Sequence, residues 1–380
     1  MSFNGQVDWE KSLIRGAVGA ALLAFLPSAL VADELSDDLK LSYWDKTINF
    51  RGAAGYKDNV LLSNIKREGS AFWLTGADFS LFRAPLDGGP SVTIFASAED
   101  RRYFSAPDLD NEDVVLSQAK IMQEVGGDWS VGGLVQYLYA DQVYDASATE
   151  QLFTALPVIS HNFEVAPIVT RTLPWNSELE LKVSGERQLF DEPLDSYWEF
   201  GPQLTYTKKY GNRSSVSLSY RYNHRYYDTR HALDLERFDI PDRPLRFDQH
   251  DFELTASHSF DQARHWRNRL RLLFGMNTDN GVGFYDYHRY RVIERFGYYG
   301  KDWQATIEGK ILYYDYQKQP VPEGAAIRQL WEYDAALHVE KTIWKQLKVF
   351  VDYEYGTVSS NFPLEEYDAN TVMGGVDWEF

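Results

Sequence analysis

The sequence predicts an all-β protein: a single antiparallel, up-and-down β-barrel that spans a membrane, with about sixteen strands and fourteen as the alternative. Three observations lead to this prediction. Apolar and polar residues alternate with a period of two in one segment after another, a pattern that is typical of transmembrane strands. The connections between these segments alternate between short and long. Aromatic residues lie on the apolar phase, many of them near segment ends.

The composition limits the class of protein. The chain has 380 residues, which suits one large barrel or two ordinary domains. Hydrophobic residues make up 44%, yet the mean hydropathy is −0.43, so apolar and polar residues are finely interleaved. Cysteine is absent, which removes disulfides, cysteine nucleophiles and thiolate metal sites. The net charge of −18 argues against nucleic acid as a partner, because phosphate binding needs a basic face.

The first residues have the pattern of a targeting segment. Lys11 and Arg15 precede a short apolar run that ends in small residues, which is the pattern of a secretory signal peptide. We therefore expect a signal peptide at 1–32, a short periplasmic segment at 33–46 and the barrel at 47–380. A retained amphipathic anchor is the alternative. After the signal, no apolar run reaches the length of about 20 residues that a transmembrane helix needs.

Sixteen segments carry the strand pattern. In the segment at 177–187, for example, Leu179, Leu181 and Val183 alternate with Glu180 and Lys182. The phase is ambiguous at 150–173 and 284–297, which keeps fourteen strands open. The predicted strands are 47–57, 70–83, 91–103, 114–125, 128–140, 162–173, 177–187, 197–208, 214–226, 248–260, 267–278, 284–297, 302–315, 328–340, 346–356 and 370–380.

The connections predict two different ends of the barrel. The tight ones include 85–89, 126–127 and 174–176, whereas the long polar ones include 61–69 and 227–247. Outer-membrane barrels have short periplasmic turns and long outside loops. A soluble β-sandwich is the alternative, but it would bury its aromatic residues in mid-strand. Here the aromatic residues of the apolar phase include Trp73, Trp129, Trp198, Tyr206, Trp303, Tyr313, Trp331, Tyr333, Tyr355, Trp378 and Phe380.

The last predicted strand has a recognisable pattern of apolar and aromatic residues. Val372, Val376, Trp378 and Phe380 share one face, with Gly374 between them. This pattern resembles the carboxyl-terminal signature of bacterial outer-membrane β-barrel proteins. The resemblance implies an outer-membrane location, contact with lipid and lipopolysaccharide, and recognition of this strand by the barrel assembly machinery. It points to the class and not to a particular family.

If the apolar phase faces lipid, the other phase lines the interior. The charged residues of this phase are too numerous to be buried in a dry core. We therefore expect a water-filled or heavily salt-bridged lumen. Sixteen strands leave room for an aqueous channel. Basic residues gather on 214–226 and 267–278, and acidic ones on the last three strands, which suggests a transverse field that orients solutes. Salt bridges that stiffen the wall are the alternative. The predicted lining residues are Arg221, Arg225, Arg269, Arg271, Lys310, Lys348, Glu332, Asp334, Asp352, Glu354, Asp377 and Glu379.

The third outside loop, at 141–161, stands where general porins fold a loop into the lumen. A simple surface loop is the alternative. Tyr and Arg interleave at 220–230 and 285–295, which suits either a sugar-binding track or girdle residues and wall salt bridges.

Catalytic, cofactor and metal sites are not expected. His258 lies between Ser257 and Ser259, but neighbouring strand residues point to opposite faces, so we expect no enzyme and no cofactor. Asp108, Asp110 and Asp113 form a weak calcium candidate without the glycine and distal Glu of an EF-hand. An acidic solvated loop explains the same residues.

Two functions remain at this stage. The first is a porin-like outer-membrane channel for passive diffusion of small hydrophilic solutes, weakly cation-leaning because of the acidic excess. The second is a non-conducting barrel that acts as an export, assembly or interaction scaffold. Bulky inward residues keep the second open: Phe82, Phe95, Leu134, Leu138, Phe350 and Leu312. A homo-oligomer or a periplasmic or surface protein partner is compatible with both.

Overall fold

The structure, a computed structural model, describes residues 44–85, 88–147, 155–211, 213–321 and 326–380. These residues form one closed sheet in which each strand pairs with its neighbours along the chain and the first pairs with the last. All pairs are antiparallel. The prediction of sixteen strands is confirmed, and the fourteen-strand alternative is wrong.

The strands have the following bounds: β1 Trp44–Lys57, β2 Ser70–Arg83, β3 Ser91–Tyr103, β4 Asn111–Gly126, β5 Trp129–Asp145, β6 Ala155–Leu173, β7 Ser177–Phe190, β8 Tyr197–Tyr210, β9 Ser214–Leu233, β10 Asp239–Ser259, β11 Trp266–Asp279, β12 Tyr287–Tyr299, β13 Trp303–Pro320, β14 Ile327–Thr342, β15 Leu347–Ser360 and β16 Tyr367–Glu379. A short 3₁₀ helix, Pro363–Glu365, lies between β15 and β16.

The predicted signal peptide at 1–32 lies outside the described residues, as does nearly all of the segment at 33–46. Both stay predictions. The first strand begins at Trp44, three residues before the predicted start of the barrel at 47.

The two ends of the barrel differ as the connection lengths predict. We call the end with connections such as 84–90, 174–176 and 300–302 the turn end, and the end with connections such as 58–69 and 104–110 the loop end. The loosest turn, at 260–265, is held by Asp261, whose carboxylate accepts the backbone N–H groups of His265 and Trp266 at 3.1 and 2.9 Å.

At the loop end several strands run further than the sequence predicts. The predicted loop at 227–247 is mostly strand, because β9 continues to Leu233 and β10 begins at Asp239. The predicted loop at 141–161 likewise shortens to the connection between Asp145 and Ala155. Pairing between antiparallel neighbours satisfies backbone N–H and C=O groups whether the strand lies in lipid or in water, so the ladders extend beyond the apolar band.

Apolar side chains of the outward phase remain exposed on the outer wall. On the last strand Val372, Val376, Trp378 and Phe380 are all about half exposed, whereas the inward neighbours Met373 and Asp377 are buried. An exposed apolar wall of this extent is typical of a surface that faces lipid. Among the described residues, none lies in a helix long and apolar enough to cross a bilayer.

The seam between β1 and β16 closes the sheet. Nine residue pairs run from Asn49 opposite Glu379 to Lys57 opposite Thr371. Below them the N–H of Phe380 donates to the carbonyl of Ile48 at 2.8 Å, and the N–H of Ile48 donates back at 3.2 Å. The aromatic end of the sequence is therefore the last rung of the ladder that closes the barrel.

Two neighbouring glycines of β16 test this seam. A Cβ on Gly375 would lie 2.3 Å from the carbonyl oxygen of Gly52 across the seam, whereas one on Gly374 would lie no closer than 3.4 Å to any atom. We expect Gly375→Ala to lower the free energy of unfolding by about 1–3 kcal/mol, the usual cost of overpacking, and Gly374→Ala to leave it nearly unchanged. Urea unfolding of the protein in lipid vesicles measures both. Equal effects would mean that the seam is not paired in this register.

Candidate functional site

The interior of the barrel is the candidate site, and its wall is lined by charged side chains. All twelve residues that the sequence predicts as lining residues lie on the inward phase of their strands. Burial identifies this phase, since Arg225 and Asp377 are buried while their neighbours Tyr226 and Trp378 are exposed, and inward side chains also meet across strands. The guanidinium of Arg51 on β1, for example, lies 4.3 Å over the ring of Phe350 on β15.

Most of the predicted basic residues have partners on the wall. Arg225 forms an ion pair with Glu199 at 2.7 Å. Arg271 lies 3.2 Å from a carboxylate oxygen of Glu253. The Nε of Arg221 donates to the amide oxygen of Gln203 on the next strand at 3.0 Å. Arg269 stands opposite Arg295 in the sheet, so that two basic side chains adjoin there.

The predicted acidic residues are also paired. Asp377 accepts two hydrogen bonds from Arg51 at 2.7 and 2.8 Å, a bidentate geometry that favours both charges. Lys310 lies between Glu332 and Asp334 at 3.0 and 2.7 Å.

The remaining acidic residues follow the same pattern near the turn end. Lys348 lies between Glu340 and Glu379 at 3.4 and 3.2 Å. Asp352 is bonded to His338, and Glu354 interacts electrostatically with Arg101 and Lys57.

On β12, the sequence reasoning missed three basic lining residues. Arg289, Arg291 and Arg295 of β12 point inward, where they pair with Asp251 at 2.9 Å, Glu253 at 3.6 Å and Glu308 at 2.6 Å. They lie in the segment where Tyr and Arg interleave, and Tyr is compatible with either face, so the phase could not be read. With them, the arginines extend over β9 to β12, and the predicted acidic residues lie on β14 to β16. Asp251 and Glu253, which pair with these arginines, lie on β10 within the basic arc.

Solvent reaches the inward charges unevenly. The side chains of Asp334 and Glu379 are 46% and 49% exposed. The pair of Arg225 and Glu199, in contrast, is 1% and 2% exposed. Three clusters of buried apolar side chains, centred on Phe72, Phe247 and Tyr314, pack at the loop-end side of the interior. The loop-end side of the interior is therefore packed, while the inward charges elsewhere on the wall range from half exposed to buried.

Arg328 is the centre of the packed region, and no pattern in the sequence predicts its role. Its side chain is fully buried, as is that of Glu365, and the two charged groups lie 2.9 Å apart. Arg328 also donates from Nη1 to Gln319 at 3.0 Å and lies 4.5 Å over the ring of Tyr316. One guanidinium thus joins β13, β14 and the connection before β16.

The same arginine ties the β5–β6 connection across the barrel. Its Nη2 donates to the backbone carbonyl of Ser147 at 2.7 Å, although β5 and β14 are seven positions apart in the ring of strands. Tyr367 of β16 donates to the carboxylate of Asp145 at 3.2 Å. The described start of this connection, Ala146 and Ser147, therefore lies buried against the interior. Residues 148–154 lie outside the described residues.

A second segment covers the same end. The turn between β9 and β10 brings Arg237 to the carbonyl of Pro320 on β13, at 3.3 Å, with its guanidinium 5.9 Å from the ring of Phe284. Burial lowers the pKa of Arg237, and the positive charge of Arg328 lowers it further. The β9–β10 connection and the β5–β6 connection, both at the loop end, thus approach Arg328.

The acidic loop after β3 is not arranged as an ion site. Asp108 forms an ion pair with Lys66, whereas Asp113 accepts a hydrogen bond from Asn111 at 2.6 Å. The backbone carbonyl of Asp110 accepts the N–H of Tyr103 at 3.0 Å. Within the described part of the chain, no three His, Asp or Glu side chains are grouped so as to hold a metal ion.

The sequence matches no protein-family model and no curated protein sequence. Solved structures with a similar fold include CdiB from Acinetobacter baumannii, with 9% identity, a TM-score of 0.47 and coverage of 88% of this chain and 60% of that one. A BenF-like porin from Pseudomonas fluorescens Pf-5 has 8% identity, a TM-score of 0.47 and coverage of 90% and 100%. OccK5 (OpdH) from Pseudomonas aeruginosa has 10% identity, a TM-score of 0.48 and coverage of 88% and 98%.

This chain thus spans 60% of the CdiB chain. At these levels of identity and superposition, the assignment of the fold rests on the strand pairing of this chain itself.

Replacement of Arg328 tests its place at the centre of the packed end. Arg328→Met leaves the carboxylate of Glu365 buried without its cation, which costs about 3–5 kcal/mol of unfolding free energy. The double variant Arg328→Met/Glu365→Met removes both charges and should recover most of this loss. Lys66→Met, in the half-exposed pair with Asp108, is the matched control and should leave the free energy of unfolding nearly unchanged. Equal losses for Arg328→Met and Lys66→Met in urea unfolding would contradict the assignment.

Proposed function

We propose that the chain is a porin-like channel of the bacterial outer membrane, through which small hydrophilic solutes diffuse passively with a weak preference for cations. The observation that carries the proposal is the inward charge of a sixteen-stranded barrel, part of which is open to solvent. Barrels of this size are wide enough for an aqueous channel, and charges such as Asp334 and Glu379 need water or partners.

The distribution of charge supports a role in selecting solutes. The arginines of β9 to β12 and the carboxylates of β14 to β16 lie on different arcs of the wall, so a field crosses the interior between them. Such a field orients dipolar or charged solutes as they pass. The half-exposed carboxylates of Asp334 and Glu379, together with the acidic chain as a whole, favour cations.

The narrowest part of the path is proposed to lie at the loop end. There the β5–β6 connection reaches Arg328, and the β9–β10 turn approaches it from another side. A constriction held by a loop combines a rigid wall with a segment that sets the pore size. The same packing is what the non-conducting scaffold would need, so conduction decides between the two functions.

The proposed setting follows from the outer wall and the last strand. The turn end would face the periplasm and the loop end the outside, in contact with lipopolysaccharide. Val372, Val376, Trp378 and Phe380 would present the outward face of β16 to the barrel assembly machinery. A homo-oligomer is compatible with this arrangement.

Single-channel recording in a planar bilayer with a salt gradient tests the proposal. We expect stable conductance steps and a reversal potential on the cation side. Protein that is folded by its heat-modifiable migration but never conducts would contradict the channel and favour the scaffold. Conductance steps without a cation preference would support the channel but contradict the proposed selectivity.

Two charge-removing variants test the charge arrangement. Asp334→Asn removes a half-exposed negative charge from the acidic arc, and Arg221→Gln removes a positive charge from the basic arc. A unit charge acts on an ion at 8 Å in water with about 0.5 kcal/mol, so each variant should change the cation-to-anion permeability ratio roughly twofold. We expect Asp334→Asn to lower this ratio and Arg221→Gln to raise it. Shifts of the same sign would contradict the transverse field.

A further inference from the structure

The outer wall carries a continuous row of adjoining aromatic rings at the turn end of β8 to β12. The row runs from Tyr210 to His265, and each ring lies within 6.1 Å of the next, measured between ring centroids. Rings of this kind favour the membrane interface because each has an apolar body, and some have a polar tip. We call this row the ring shelf; its members in order are Tyr210, His258, Phe260, Phe296, Trp266, Tyr298 and His265.

Two arginines stand in the turns beside the ring shelf. Arg213 lies in the β8–β9 turn with φ of 56°, and Arg264 lies in the β10–β11 turn with φ of 61°. Left-handed backbone costs a residue with a side chain about 1–2 kcal/mol, and glycine or asparagine adopts it more readily. Arginine is therefore an unfavourable choice for the backbone at both positions, which suggests that its side chain has a use.

The nearby acidic group is already engaged. Asp261 accepts the backbone N–H groups of His265 and Trp266 and lies 3.4 Å from the ring nitrogen of His265. Among the described residues, no carboxylate is bonded to the guanidinium of Arg213 or Arg264.

Other cations crowd the two arginines instead. Burial lowers the pKa of Arg264, and the positive charges of Arg267 and Arg213 lower it further. Arg267 itself donates to the carbonyl of Arg264 at 2.9 Å and lies 4.3 Å over the ring of Tyr299.

The other cations of these turns have partners. Lys209 lies 3.4 Å from a carboxylate oxygen of Glu178, and Lys208 donates to the backbone carbonyl of Trp175. Arg213 and Arg264 therefore leave positive charge beside the ring shelf that no carboxylate of the described residues binds.

We infer that Arg213 and Arg264 bind the phosphate of an anionic phospholipid whose glycerol and acyl region lies on the ring shelf. Guanidinium groups donate parallel hydrogen bonds to phosphate oxygens, and the exposed rings of Phe260 and Trp266 offer apolar surface just below. The arginines lie on one side of the site and the apolar rings on the other. This arrangement matches a lipid, with its charged headgroup and apolar chains, better than it matches a soluble phosphate. The inference requires the barrel to lie in a bilayer, but it holds whether or not the interior conducts.

The test uses the full chain in vesicles of phosphatidylcholine with and without phosphatidylglycerol. Phosphatidylglycerol that stays with the protein through detergent exchange is counted by native mass spectrometry. Arg213→Asn and Arg264→Asn suit left-handed backbone, so folding is retained while the charge is lost. A hydrogen bond to a charged group contributes about 1.5–3 kcal/mol, so each variant should weaken phosphatidylglycerol binding about tenfold or more.

Controls separate this site from general attraction and from free phosphate. Lys345→Asn removes an exposed cation at the same end, in the β14–β15 turn away from the ring shelf, and should leave phosphatidylglycerol binding unchanged. Phe260→Ala should weaken it with all charges in place. Equal losses for Lys345→Asn and Arg264→Asn would overturn the inference, as would unchanged binding in the double variant Arg213→Asn/Arg264→Asn. Full displacement of the lipid by inorganic phosphate would show an anion site that does not need the ring shelf.

Discussion

The closure of the backbone ladder between β1 and β16 is the constraint on which the rest of the structure depends. In hydrocarbon, each unsatisfied N–H or C=O group costs several kcal/mol, so no strand edge can stay open. Once Phe380 and Ile48 form their backbone hydrogen bonds, every strand has a partner on both sides. Closure also fixes the phase of every strand, because a shift by one residue would turn all its outward side chains inward. The apolar outer wall and the charged interior are two consequences of this single phase.

The interior shows what charged side chains do when the phase forces them together. Where the space is wide, they remain partly exposed, as at Asp334 and Glu379. Where loops fill the space, they lose water and need close partners, as Arg328 and Glu365 have. The same residue types therefore occur in two settings, one partly open to solvent and one in which they hold loops across the barrel.

The sequence predicted the strands better than their partners. β2 and β3 match the predicted limits, because the alternation is clear in both and a tight connection joins them. The limits failed at the loop end, where pairing continues after the apolar phase has faded. Arg328 could not be predicted, since its partners Glu365 and Ser147 are 37 and 181 residues away and no local pattern connects them. Arg289 was missed because Tyr and Arg alternate around it and both suit a wet face.

The central claim is that one face of each strand lines water while the other faces lipid. The chain has no cysteine, so single cysteines introduced at neighbouring positions report on the two faces without interference. Asp334→Cys and Tyr333→Cys, in vesicles, are treated with a charged, membrane-impermeant thiol reagent applied from the turn end. We predict fast labelling of Asp334→Cys and protection of Tyr333→Cys until detergent is added. Protection of Asp334→Cys together with labelling of Tyr333→Cys would contradict the account.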